Sequence, residues 1–159
     1  MSSIMKTMDI TIRPANKDDC PRLLELIREL AEYERALDQV EVSQEHFEDS
    51  GFGNCPVWWG IVAEKDDYIV GFAIYYIRYS TWKGQRLYLE DIIVTKSHRR
   101  QGIGKKLFDA VLADARKKSL NGVIWQVLDW NKPAIHFYEQ YSPSFNQEWI
   151  TCIIEKMTK

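Results

Sequence analysis

Apolar positions along the chain change period several times, and each change marks an element. Ile10 to Arg13 alternates and stops at Pro14, the pattern of a short strand. Asp18 and Asp19 then precede Pro21, acids at the positive end of a helix dipole with proline in the first turn. Leu23, Leu24, Ile27, Leu30 and Ala31 follow at helical spacing, predicting a helix to about Glu34. Ser43 is placed to cap a second short helix through Asp49, and Gly51, Gly53 and Pro56 make a loop. Val57–Ala63 and Tyr68–Tyr79 read as strands joined by the turn Lys65-Asp66-Asp67. Leu87–Val94 is a third strand, mostly apolar apart from Glu90 and Asp91. The glycine-bearing turn Arg99–Gly104 opens a long helix with the apolar face Leu107, Phe108, Val111 and Ala115, ending near Lys118. Asn121-Gly122 turns into a strand over Val123–Leu128, Asn131 caps a helix to about Gln140, and Trp149–Ile154 reads as a last strand. The order β-α-α-β-β-β-α-β-α-β predicts an α/β (α+β) fold, a mixed, partly antiparallel sheet covered by helices. No linker or repeat interrupts it, so residues 1–159 read as one domain.

Composition narrows the class. The 159 residues are 45 % apolar, 28 % charged and 13 % aromatic, ordinary for a globular chain and unlike a disordered one. A net charge of −2 argues against a general nucleic-acid binder. That balance hides an asymmetry. Glu32 to Asp49 holds seven acids and one base, whereas Thr95 to Lys118 holds eight bases and two acids. One region suits a cation and the other an anion. Three cysteines, Cys20, Cys55 and Cys152, without C-x-x-C spacing favour neither a disulfide framework nor a zinc site. His46, His98 and His136 have no ligand spacing, so no metal is expected. Without a signal-peptide core or a membrane-length apolar run, the expectation is a cytoplasmic protein with no membrane partner.

The basic region carries the sharpest motif. Arg99-Arg100-Gln101-Gly102-Ile103-Gly104-Lys105-Lys106 lies between a strand and a helix. Glycines there let several backbone N–H groups converge on one anion, and the helix N-terminus adds partial positive charge. The run lacks the G-x-x-x-x-G-K-[ST] of a P-loop, and Leu107 stands where a Rossmann fingerprint needs its third glycine. Neither of those two routes to a pyrophosphate site applies.

Arg99-x-x-Gly102-x-Gly104 resembles the acyl-CoA signature of the GNAT N-acetyltransferases. Trp130-Asn131-Lys132-Pro133-Ala134 with Phe137-Tyr138 resembles that family's second cofactor-contacting element. Further segments are similar to the diamine (spermidine/spermine) acetyltransferase branch: Ile12-Arg13-Pro14-Ala15, Glu29-Leu30-Ala31 with Tyr33-Glu34, Glu48-Asp49 with Gly51-Phe52-Gly53, Val70-Gly71-Phe72-Ala73 with Tyr75-Tyr76, and Leu87-Tyr88-Leu89-Glu90-Asp91. The resemblance implies a GNAT fold whose sheet splays at the cofactor site, acetyl-CoA as donor, a small-molecule primary amine as acceptor, and a homodimer. It also implies cofactor contacts from Ile92, Ile93 and Val94, from Arg99, Arg100, Gln101, Gly102, Ile103, Gly104 and Lys105, and from Asn131, Pro133 and Ala134. On the acceptor side it implies Tyr33 and Glu34. Two departures stand out: Glu139-Gln140-Tyr141-Ser142-Pro143 follows the Phe-Tyr pair without a glycine, and Tyr79-Ser80-Thr81 lacks the acid that polyamine enzymes carry near Ser80. Short diamines and lysine-like amino acids such as thialysine therefore stay open as acceptors, as does a non-catalytic acyl-CoA-binding module.

Acetylating an amine requires removing a proton from an ammonium whose pKa is roughly 10, stabilising an oxyanion and protonating the thiolate. Glu90, in a mostly apolar strand, is the candidate base, with burial expected to raise its pKa; a cation-binding role would look the same. Strict alternation sets Glu90 and Asp91 on opposite faces, so they serve one site only across a bulge. Tyr138 is the candidate acid, the role the resemblance implies; Asn131, Ala134 and Tyr138 share a helix face. The resemblance, through the splay of that family's strands, implies backbone N–H groups near Ile93 and Val94 as oxyanion donors, and Trp82 is a candidate cation–π wall for the amine.

Overall fold

The structure, a computed structural model, describes residues 9–155. Chain contacts divide it into two units, Met1–Gln126 and Val127–Lys159. The first unit is built on a five-stranded sheet: β1 (Thr11–Pro14), β2 (Trp59–Lys65), β3 (Tyr68–Ser80), β4 (Gly84–Val94) and β5 (Val123–Trp125), in spatial order 1-2-3-4-5. β1 to β4 run antiparallel to their neighbours, and β5 is parallel to β4. Helices α1 (Cys20–Tyr33), α2 (Gln44–Phe52) and α3 (Ile103–Lys117) belong to this unit; α4 (Lys132–Glu139) belongs to the second.

The two faces of the sheet follow from strand alternation. Val62, Phe72, Ile74 and Ile93 join Leu23, Leu24 and Leu26 of α1, Phe47 of α2 and Trp58 in one buried cluster. Burying each such Leu or Phe contributes about 1.5–3 kcal/mol. On the other face Ala73 and Tyr75 sit with α3, whose Leu107, Phe108, Val111 and Ala115 are buried. The Tyr75 hydroxyl donates to Asp114 of α3. Gly71 lets α3 approach closely, since a Cβ there would lie 2.6 Å from the Ile93 carbonyl and 3.2 Å from Leu107 Cδ1.

Helix starts follow the capping residues. Ser43 Oγ accepts from His46 N–H, and α2 extends to Phe52, three residues past the expected Asp49. β2 starts at Trp59 rather than Val57, because the Val57 N–H is bonded to the Ser50 carbonyl and faces no strand. The expected strand Val123–Leu128 ends at Trp125, where its ladder with β4 stops. Trp149–Ile154 is not a strand. A strand needs a ladder partner, and among the described residues this segment has none; Trp149, Ile150, Ile153 and Ile154 are exposed.

Candidate active site

The decisive local feature is a bulge in β4. Asp91 stands opposite Ile74 and Leu89 opposite Tyr75, so two steps on β4 match one on β3 and Glu90 is the extra residue. Register then puts Asp91 on the α1 face with Ile74, and Tyr88 with Tyr76 on the same face. The Tyr76 and Tyr88 rings stack at 5.0 Å. Burial raises both phenol pKa values, and the charge of nearby Glu90 raises them further, so Glu90 belongs to this cluster. Strict alternation, which separates Glu90 from Asp91, is thus overturned by the inserted residue.

The bulge also reverses the exposure expected of Glu90. Glu90 is exposed, because the extra residue turns out of the pleat, and its expected burial is not found. Asp91 is half-buried, and its pKa is raised to about 7, by burial first, then by the charges of Glu90 and Glu34. Glu34 caps the C-terminus of α1, half-buried, and its own pKa is raised by burial. Glu34, Glu90 and Asp91 therefore form one carboxylate group at the end of α1. Such a group attracts a cation, and a carboxyl titrating near 7 can hold or release a proton at neutral pH. Periodicity argues against Asp91, and only the register reveals it.

Beside this cluster the sheet opens. β5 pairs with β4 only from Leu87 to Leu89, so among the described residues of this unit the edge of β4 beyond the bulge faces no strand on that side. Thr95 N–H bonds to Val70 O at 2.8 Å, on the β3 side. Backbone N–H groups alternate along a strand, so Ile93 also points toward β3, while Ile92 and Val94 point outward. Of the backbone N–H groups near Ile93 and Val94, those of Ile92 and Val94 are therefore the ones that face away from β3.

Six residues past Val94 the chain builds a candidate anion cradle. Arg100 has φ 63° and Gly102 φ 77°, both left-handed, and the space around Gly102 is open within 4 Å. Gly102 is the N-cap of α3 and makes no side-chain cap, so the first N–H groups of the helix point out without a capping acceptor. Arg100, Gln101, Gly102, Lys105 and Lys106 are exposed, Gly104 is half-buried and Ile103 is buried in the core; Lys105 also pairs with Asp109 at 2.5 Å. Outward strand donors followed by a bare helix N-terminus fit a thioester with a pyrophosphate tail.

Other predicted residues are engaged differently. Arg99 turns back on its own strand: Nε donates to Val94 O at 2.8 Å, and the guanidinium lies 5.3 Å over the Tyr33 ring. Trp82 is at the exposed tip of the β3–β4 hairpin. Six extended residues of about 3.3 Å each set it roughly 20 Å from Glu90, so the strands do not bring it to the carboxylates.

In the second unit Asn131 is buried and its side chain accepts from Ala134 N–H at 3.3 Å, capping α4. Pro133 sits in the first turn, where its missing N–H costs nothing. Ala134 and Tyr138 are one turn apart on α4, and Tyr138 is buried with Phe137 edge-on at 5.2 Å.

Comparison with known proteins identifies the family and the fold. The chain matches the acetyltransferase (GNAT) family over residues 22–142. It is similar to a thialysine N-epsilon-acetyltransferase of Bos taurus, 44 % identical over 138 residues, 82 % of this chain and 81 % of that protein. It is also similar to a spermidine/spermine N(1)-acetyltransferase-like protein of Homo sapiens, 37 % identical over 80 % of this chain but 19 % of the longer relative. Among solved structures, aminoglycoside N-acetyltransferase AAC(6')-Iy in complex with CoA superposes with a TM-score of 0.77, over 97 % of this chain and all of that one, at 18 % identity.

Proposed function

The chain belongs to the acetyltransferase (GNAT) family, and from that premise we propose that it moves an acetyl group from acetyl-CoA to a primary amine of a diamine or polyamine. The observation that carries the acceptor class is the group of Glu34, Glu90 and Asp91 gathered by the bulge. A small cation with a free amino group is the ligand such a group selects. Within the same chemistry, a thialysine-like amino acid is favoured by Ser80 standing where an acid is expected, and by likeness to thialysine acetyltransferases at 40–44 % identity.

Acetyl-CoA, when bound, supplies an acetyl thioester. Gly102, Gly104 and the first N–H groups of α3, with Arg100 and Lys105, would hold the pyrophosphate. Ile92 and Val94 N–H would polarise the carbonyl oxygen; one such donor is worth about 3–4 kcal/mol. Glu90 and Glu34 attract the ammonium, and Asp91 takes its proton through a carboxylate that titrates near 7. The amine then attacks directly, with both substrates bound. Cys20, the buried thiol of the core, has its pKa pushed up to about 11 by burial and by Glu48 and Asp19, which removes it as an acyl-accepting nucleophile. Tyr138 protonates the departing sulfur, a role its place one turn past Ala134 on α4 supports. The family match runs from residue 22 to 142 and so reaches into both units, which supports reading 1–159 as one domain. The homodimer and the cytoplasmic location expected from sequence go with this reading; free Cys20, Cys55 and Cys152 suit a reducing compartment. Among the described residues no helix is long and apolar enough to cross a membrane.

A thiol-release assay with acetyl-CoA against spermidine, spermine, putrescine, thialysine and lysine tests the assignment. Turnover on thialysine without spermidine would select the lysine-like acceptor. Tight acetyl-CoA binding with no turnover on any amine would leave only a binding module.

A further inference from the structure

Glu29 lies in α1, half-buried, and both its oxygens are engaged by a segment 66 residues away or more. Oε2 accepts from Thr95 Oγ1 at 2.8 Å, and Oε1 accepts from Lys96 N–H at 2.7 Å. Arg99 Nη2 stands 3.5 Å from Oε1, while Arg99 Nε holds Val94 O at 2.8 Å. Thr95 is the N-cap of the short 3-10 turn Lys96–His98 yet makes no side-chain cap bond; Glu29 satisfies the first N–H from another helix. Hydrogen bonds to a carboxylate are roughly twice as strong as neutral ones. The segment so held, Val94 to Arg99, connects the outward N–H of Val94 to the cradle at Arg100–Gly104.

We propose that Glu29 is a positioning residue for the donor, fixing the distance between the strand-edge donors and the helix N-terminus. The proposal rests on α3's N-terminus being the pyrophosphate site. A CoA thioester needs both contacts at once, so the cost of a loosened joint falls on binding the donor. A loop released at this joint must be ordered when a two-ended ligand binds. A ligand that uses only the strand edge makes no such demand. Tyr33 and Glu34 end the same helix as Glu29, so the clamp also sets the donor cradle in register with the carboxylate group.

The test compares two donors, acetyl-CoA and S-acetylpantetheine, which has the same thioester but no pyrophosphate. Wild type should favour acetyl-CoA in kcat/KM by at least about tenfold. Glu29→Gln keeps the size and one accepting oxygen. It should raise KM for acetyl-CoA about tenfold with kcat within about twofold, and leave kcat/KM for S-acetylpantetheine within about twofold. Thr95→Val removes one clamp bond without touching Glu29, and should show a smaller rise, about threefold, with the same donor dependence. It carries the test if Glu29→Gln does not fold. Equal losses on both donors, or no loss on acetyl-CoA, would overturn the positioning role. Wild type without donor preference would instead overturn the pyrophosphate site, and the proposal with it, before any variant is made.

Discussion

Replacing Asp91 by Asn should stabilise the protein at pH 8 while nearly abolishing turnover. Asp91 titrates near 7 in the fold, against an ordinary value of 3.8. Burial is the first cause, and the charges of Glu90 and Glu34 add to it. Between pH 4 and 7 the native carboxyl therefore keeps a proton that the unfolded chain has lost. Stability falls by 1.36 kcal/mol per pH unit across that window and levels off above it. Three units give about 4 kcal/mol as an upper figure, and coupling to two other carboxylates brings the expected gain of the variant to about 2–4 kcal/mol. Asn is neutral and shaped like the protonated acid, so the variant escapes the loss. For a chain of this length that is about 5–15 °C in Tm at pH 8, shrinking toward pH 5. Thermal unfolding of both proteins at pH 5, 6, 7 and 8 measures it. Curves that run parallel across that range would show that Asp91 titrates normally and is not held in the carboxylate group. Turnover of the variant should fall by 10²-fold or more.

Two further substitutions separate the proposed roles. Tyr138→Phe should lower kcat about 10²-fold with little change in the Kd of acetyl-CoA, read by steady-state rates beside calorimetry; an unchanged kcat removes Tyr138 from the chemistry. Glu34→Gln should raise KM for a cationic amine about tenfold and shift the titration of Asp91 to lower pH, because one like charge is gone; an unaltered KM removes Glu34 from the acceptor side.

Much of the site could be read from residue order, because its parts are local. The loop at Gly102, the cap at Asn131 and the amphipathic face of α3 are each fixed by neighbours within a few residues, and the structure keeps them. What could not be read depends on partners far along the chain. A bulge leaves no mark on the alternation of Leu87 to Val94, since the inserted residue shows only against β3. Hence alternation alone predicts a buried Glu90 with Asp91 on the opposite face. The clamp of Glu29 on Thr95 and Lys96 spans α1 and the end of β4 and has no local signal. Trp149–Ile154 has strand composition, but composition supplies no ladder partner. Trp82 stands apart from the carboxylates for a simpler reason: the hairpin is longer than the reach of an indole.

The account rests on Asp91 receiving the amine's proton, and the pH dependence of kcat/KM for the amine tests that most directly. Wild type should show an ascending limb with an apparent pKa near 7, and Asp91→Asn should lose that limb together with most of the rate. A limb that persists unchanged in the variant would contradict it.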